Sequence, residues 1–206
     1  AFPPPRFVLA DVDLLATLPR PHLLAGMAEA IKHGAIADEA YFTALCDPGP
    51  VKARDCEALL AVVRRSVEIK AAVVREDPRE SGRRAMLNFG HTVAHALEAV
   101  AGYSLLHGEA LAIGMCVEAE VGEALGATES GTAARLKQAL KQYDLPVTPP
   151  DELRAELLLE AMRRDKKNRA ARIRLALPQA IGAFAQRVDG AWTVEVDETR
   201  LQSTLH

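Results

Sequence analysis

The sequence predicts a mainly α protein, multi-helical, with a few short β segments near its two ends. Three observations carry this. Alanine recurs throughout while aromatic residues make up only 4% of the chain, and alanine loses no side-chain entropy in a helix. Apolar residues recur at helical spacing through most of the middle of the chain. Only the first dozen and the last forty residues change to alternating or β-branched text.

Taken in order, Phe7-Val8-Leu9-Ala10-Asp11-Val12-Asp13 follows a proline cluster and is expected to be a strand. Its partner would be the strand-like Arg172 to Pro178 near the other end, or a sheet outside this sequence. Leu23, Leu24, Met27, Ala30 and Ile31 predict a helix from Arg20 to about Ile36. Leu59, Leu60, Val63, Val67, Ile69 and Val73 predict a long amphipathic one from Asp55 to about Arg75. Further helices are expected at about 89–101, 108–125, 131–143 and 150–165. Breakers separate them: Asp47-Pro48-Gly49-Pro50, Asp77-Pro78, Gly102, Gly126, and Pro146 with Pro149-Pro150. The segments RIRLALP, GAFAQRV and WTVEVD read as two or three short strands.

The chain has 206 residues, 49% hydrophobic and 26% charged, enough to bury one substantial core. Net charge is −3 and no stripe of Lys and Arg forms, so a nucleic-acid partner is not expected. No apolar run approaches the roughly 20 residues that span a bilayer, so no membrane partner is expected either. Cys46, Cys56 and Cys116 are dispersed and show no CxxC spacing. They read as packing residues in a reducing compartment. The first residues carry no basic start or small-residue cleavage site, and a cytoplasmic location is the expectation.

The histidines carry the strongest chemical signal. His91, His95 and His107 lie within seventeen residues of one another. On a helix, His91 and His95 project from one face, a spacing that lets two imidazoles meet one metal ion. A chain reversal after Gly102 would bring His107 back as a third ligand. HTVAH lacks the glutamate beside the first histidine of HExxH peptidases, so a carboxylate must come from elsewhere. Glu29, among Met27, Ala28, Ala30 and Ile31, is the best candidate, because burying it without a cation would be costly. Lys32, Lys70, Arg83, Arg84 and the DKKNR run at 165–169 suggest a substrate with carboxylate and phosphate groups. Taken singly, each of these cations reads equally well as part of a solvated helix face.

Together, LLATLP, AGMAEAIKHG, SVEIKAAVV, LNFGHTVAHALE, LHGEALAIGM and DKKNR with RIRLALPQAIG resemble the C-terminal domain of the 3-dehydroquinate synthases, over about Val8 to Gly182. The resemblance implies a helical metal- and substrate-binding domain at 19–206, with residues 1–18 as the tail of an NAD-binding domain that is not in this sequence. It implies Glu29, His91 and His107 as ligands of Zn2+ or Co2+, and it moves His95 from the ligand set to the substrate. Lys70 and Arg84 would hold the substrate carboxylate, and Asn88, His95 and Lys166 its phosphate. Lys32 and Glu80 would stand beside them, and Leu14, Leu15, Ala16 and Thr17 would touch NAD.

The implied activity is a phosphate-eliminating cyclase, or lyase, of the shikimate pathway. It converts 3-deoxy-D-arabino-heptulosonate 7-phosphate to 3-dehydroquinate in a homodimer, and this chain alone would be inactive without its NAD-binding domain. Sibling sugar-phosphate cyclases making 2-deoxy-scyllo-inosose or a valiolone are the alternative, as is a non-catalytic metal-binding module. Three departures from the family pattern stand out: His33 where an aromatic is common, Val93-Ala94-His95 where the histidine helix continues after FGH, and Asp77-Pro78-Arg79-Glu80-Ser81-Gly82 in place of a more acidic stretch.

Overall fold

The computed structural model describes residues 6–102, 104–164 and 172–205. Helices α1 (Arg20–Ala37), α2 (Glu39–Leu45), α3 (Gly49–Lys52) and α4 (Cys56–Glu76) form the first half. Then follow α5 (His91–Val100), α6 (His107–Ala124), α7 (Thr132–Lys141) and α8 (Ala155–Arg164). Strands β1 (Ile173–Leu175) and β2 (Val194–Val196) and helix α9 (Glu198–Thr204) complete the described chain. No described helix is long and apolar enough to cross a membrane.

Helix α6 runs through the core. It is apolar on almost every face, so it can only be stable with neighbours all round it. Leu111, Ile113, Met115, Cys116, Val117 and Val121 are all buried, and α1, α5, α7 and α9 pack around them. The outer helices are amphipathic. Helix α4 turns Leu59, Ile69 and Val73 inward and leaves Leu60 and Val67 exposed, while α8 buries Leu158, Leu159 and Met162. Asp55 starts α4 by accepting a hydrogen bond from the Ala58 amide, satisfying one of the donors a helix start leaves unpaired.

All six expected helices are present within a few residues of their expected limits. RIRLALP and WTVEVD supply β1 and β2, which pair antiparallel with Ile173 opposite Val196 and Leu175 opposite Val194. Two segments of strand-like composition are not strands within this chain. Phe7, Val8 and Leu9 are exposed and join no ladder, and Val12–Ala16 is a 3-10 helix. Of the two partners expected for Phe7 to Asp13, the strand at RIRLALP pairs instead with β2, and the Asp11 carboxylate accepts from the Asp13 amide, which favours a turn. GAFAQRV is not a strand either: Gly182 donates to Ala35 and Gln179 to Ala183, so its backbone closes a tight turn against the end of α1. The short α2, α3 and α9 were not anticipated. Asp38 ends α1 and caps α2 through the Tyr41 amide, and Asp197 caps α9 through the Thr199 amide.

Candidate metal centre

Three helices meet at one point. Glu29 lies in the middle of α1, His91 is the first residue of α5, and His107 is the first residue of α6. One ligand atom from each lies within 4.8 Å of the other two. The Glu29 Oε1 atom is 3.6 Å from His91 Nε2 and 3.5 Å from His107 Nε2. The edge of a tetrahedron around zinc, with bonds near 2.1 Å, is about 3.4 Å. One carboxylate and two imidazoles with a fourth side open are the donor set of a catalytic zinc or cobalt site, so the residues fit such an ion.

The surroundings prepare these ligands. Lys32, only 3% exposed, places Nζ 2.5 Å from Glu29 Oε2. Burial works against the Glu29 carboxylate, but the His91 imidazole beside it and the neighbouring Lys32 ammonium hold its carboxyl well below the usual carboxylate range. Burial lowers the His91 pKa, against the opposing pull of Glu29. An ionised carboxylate and a neutral imidazole are the forms a metal needs. His33 is buried beside Lys32, and burial followed by the lysine charge pushes it down to about 4.

Each ligand-bearing helix start has its own support. Gly90, with φ of 80°, turns the chain into α5. The Glu118 carboxylate from α6 then accepts from the amides of Gly90 at 2.8 Å, Thr92 at 3.1 Å and Val93 at 3.2 Å. It caps α5 from across the core and anchors the turn that carries His91. Burial pushes Glu118 up to about 8, against the pull of these three donors. At the other ligand, Glu98 Oε1 stands 3.1 Å from His107 Nδ1.

The expected substrate residues fall into two groups. His95, one turn after His91, sets its ring at 84° to that of His91 with centroids 5.5 Å apart. It lines a cleft of about 340 Å³ together with Thr92 and Arg164. It is not among the clustered ligand atoms, so the reading of His91 and His95 as a ligand pair from spacing alone is corrected: the second imidazole comes from α6.

The loop after α4 carries the rest. Asp77 accepts from the amides of Ser81, Gly82 and Arg84, and the 3-10 helix Arg83–Asn88 follows. Arg84 Nη1 donates to the Pro78 carbonyl at 3.1 Å, and Asn88 Nδ2 donates to Glu80 Oε1 at 2.9 Å. Glu80 adopts φ of 54°, a left-handed conformation uncommon for a residue with a side chain. Lys70 is on the exposed side of α4, and its charge reaches His33.

Leu14 to Thr17 lie in and just after the first 3-10 helix, where Arg54 donates to the carbonyls of Leu15 and Leu18. This 3-10 helix packs against α4. Lys166 lies outside the described residues. Sequence reasoning missed Glu98, Glu118 and Asp77. The signal for Glu118 was present, since it stands in the apolar run IGMCVEAEV much as Glu29 stands in its own helix.

The family model described as 3-dehydroquinate synthase C-terminal matches residues 26–168, more than half of the chain. A 3-dehydroquinate synthase from Xylella fastidiosa is 47% identical over 100% of this chain and 56% of its own length. One from Xanthomonas axonopodis pv. citri is 45% identical over 88% of this chain and 51% of its own. The chain thus spans about half the length of the curated relatives it matches.

Among solved structures, a 2-epi-5-epi-valiolone synthase from Streptomyces hygroscopicus with NAD+ and Zn2+ bound superposes with a TM-score of 0.80 at 27% identity. That match covers 95% of this chain and 53% of that one. A 2-deoxy-scyllo-inosose synthase complexed with carbaglucose-6-phosphate, NAD+ and Co2+ shares the fold, with a TM-score of 0.83 at 23% identity, over 98% of this chain and 56% of that one. A helical fold built around a Glu-His-His cluster, with the family match across it, places this chain in the 3-dehydroquinate synthase family, as its C-terminal part.

Proposed function

We propose that this chain is the metal- and substrate-binding part of a 3-dehydroquinate synthase, which converts 3-deoxy-D-arabino-heptulosonate 7-phosphate to 3-dehydroquinate with loss of phosphate. The observation that carries the reading is the approach of Glu29, His91 and His107 to one point, with both Nε2 atoms turned toward the same carboxylate oxygen. The 45–47% identical relatives that bear this enzyme's name support the substrate assignment.

In this reading Glu29, His91 and His107 hold a zinc or cobalt ion, and NAD is held mainly by a nucleotide domain outside this sequence, with Leu14 to Thr17 at the boundary. When bound, NAD supplies reversible hydride removal and the ion supplies Lewis-acid polarisation of a substrate oxygen. The remaining work is orientation and charge stabilisation by side chains. Lys70 and Arg84 bind the substrate carboxylate, the arginine as a planar fork and the lysine as a point charge. Asn88, His95 and Lys166 bind the phosphate. Lys32 holds Glu29 ionised, and Glu80 orients Asn88 through their hydrogen bond. The reading includes the homodimer that the resemblance implies.

Bound metal tests the centre. After dialysis against zinc buffer, elemental analysis is expected to find about one zinc per chain, lost in His107→Ala. Absence of zinc from the wild type refutes the assignment. The substrate is tested with the enzyme that contains this chain and its NAD-binding part, by phosphate release. Turnover of the heptulosonate phosphate and not of glucose 6-phosphate is expected. The reverse result assigns the chain to the sibling cyclases.

A further inference from the structure

We propose that Glu98 is a positioning residue of the centre, which fixes His107 in the one tautomer that can bind a metal through Nε2. The inference rests on the metal assignment above. A neutral imidazole carries its proton on either nitrogen, and the hydrogen bond made by one nitrogen decides which lone pair the other presents. The carboxylate of Glu98 lies 3.1 Å from His107 Nδ1, and an ionised carboxylate only accepts. With a metal ion on Nε2, which faces Glu29 Oε1 at 3.5 Å, the imidazole proton is left to Nδ1, where Glu98 accepts it.

The placement of Glu98 follows from helix geometry. It comes seven residues after His91 on α5, two turns along the same face. Helix α5 therefore supplies one ligand at its start and the support for the other near its end. The Glu98 side chain is 17% exposed and that of His107 45%, so it is the carboxylate end of this contact that is held within the fold. His91 has a matching arrangement: its Nδ1 lies 3.2 Å from the Phe89 carbonyl, and its Nε2 faces the same Glu29 oxygen. Both imidazoles are thus oriented by acceptors behind them, one from the backbone and one from Glu98.

Loss of such a partner typically weakens metal binding by roughly 10–100-fold. The test is a competitive zinc titration of the 206-residue chain against a chromophoric chelator, with wild type, Glu98→Ala, Glu98→Gln and His107→Ala. Glu98→Ala is expected to bind zinc about 10–100-fold more weakly. Glu98→Gln, whose amide oxygen still accepts from Nδ1–H, is expected to recover most of the loss. The visible absorption of the cobalt-loaded chain is expected to shift in Glu98→Ala and to return in Glu98→Gln.

NMR of the zinc-loaded wild type provides a readout independent of how the variants fold. The Nδ1 proton of His107 is expected to be hydrogen-bonded and slow to exchange with water, and rapid exchange overturns the proposal. Wild-type affinity in Glu98→Ala, with His107→Ala losing its zinc, overturns this inference and leaves the metal assignment standing. No zinc in the wild type overturns both.

Discussion

Gly108, the second residue of α6, meets the backbone of Ala25 in α1 so closely that a Cβ at this position would stand 1.9 Å from the Ala25 carbonyl oxygen. Only hydrogen fits there. This approach brings the start of α6, and with it His107, up to the helix that carries Glu29.

Gly108→Ala is therefore expected to lever α6 away from α1. The clash is with backbone, which no side-chain rotation relieves, so a cost of about 1–3 kcal/mol is expected. Zinc affinity is expected to fall as well, because the distance from Glu29 to His107 is set at this crossing. Urea denaturation and the chelator competition check the two effects. Unchanged affinity would show that the centre tolerates a shifted α6.

Glu118 makes a second expectation through its pKa. Its folded value of about 8 lies above its ordinary value of 4.5. The folded state therefore holds the proton more tightly than the unfolded state, and the stability this contributes is fully present below about 4.5. It is lost as pH rises from there to about 8. Glu118→Gln is expected to flatten that part of the pH–stability curve, and to lower stability by about 1–3 kcal/mol because its NH2 group cannot accept from an α5 amide. Urea denaturation of both proteins at pH 5 and pH 8 is the check. Parallel losses would assign the slope to other groups.

Asp77 acts in the opposite sense. Hydrogen bonds from the Ser81 amide, then those of Arg84 and Gly82, outweigh burial and lower its carboxyl to about 2 from the ordinary 3.8. The stability it contributes is present above 3.8 and lost as pH falls toward 2. Asp77→Asn is expected to remove that acid limb and to loosen the loop bearing Glu80, Arg84 and Asn88. Thermal midpoints between pH 2 and pH 5 test the first effect. Hydrogen exchange at the Ser81, Gly82 and Arg84 amides tests the second, and unchanged exchange would rule out an anchoring role.

The sequence by itself determined the helical class, because a 3.6-residue apolar period is local and survives without knowledge of partners. The positions of α1 and α4 to α8, and the strands at RIRLALP and WTVEVD, were legible for that reason. So was the clustering of Glu29, His91 and His107, although the resemblance, and not their spacing, set His95 apart from them.

What tertiary structure decided were relationships between residues distant in the chain. Phe7 to Asp13 has strand composition, but a strand exists only with a partner, and within this chain β1 takes β2 as its partner. Glu118 caps α5 from another helix, 28 residues away from the Gly90 it binds. The approach of Gly108 to Ala25 spans most of the first half of the chain. Which nitrogen of His107 faces the centre depends on Glu98, and that pairing exists only because α5 and α6 pack side by side. Local propensity sets where helices form, but the Glu29, His91 and His107 cluster is made of contacts between helices, whose geometry depends on how side chains and backbones fill the core.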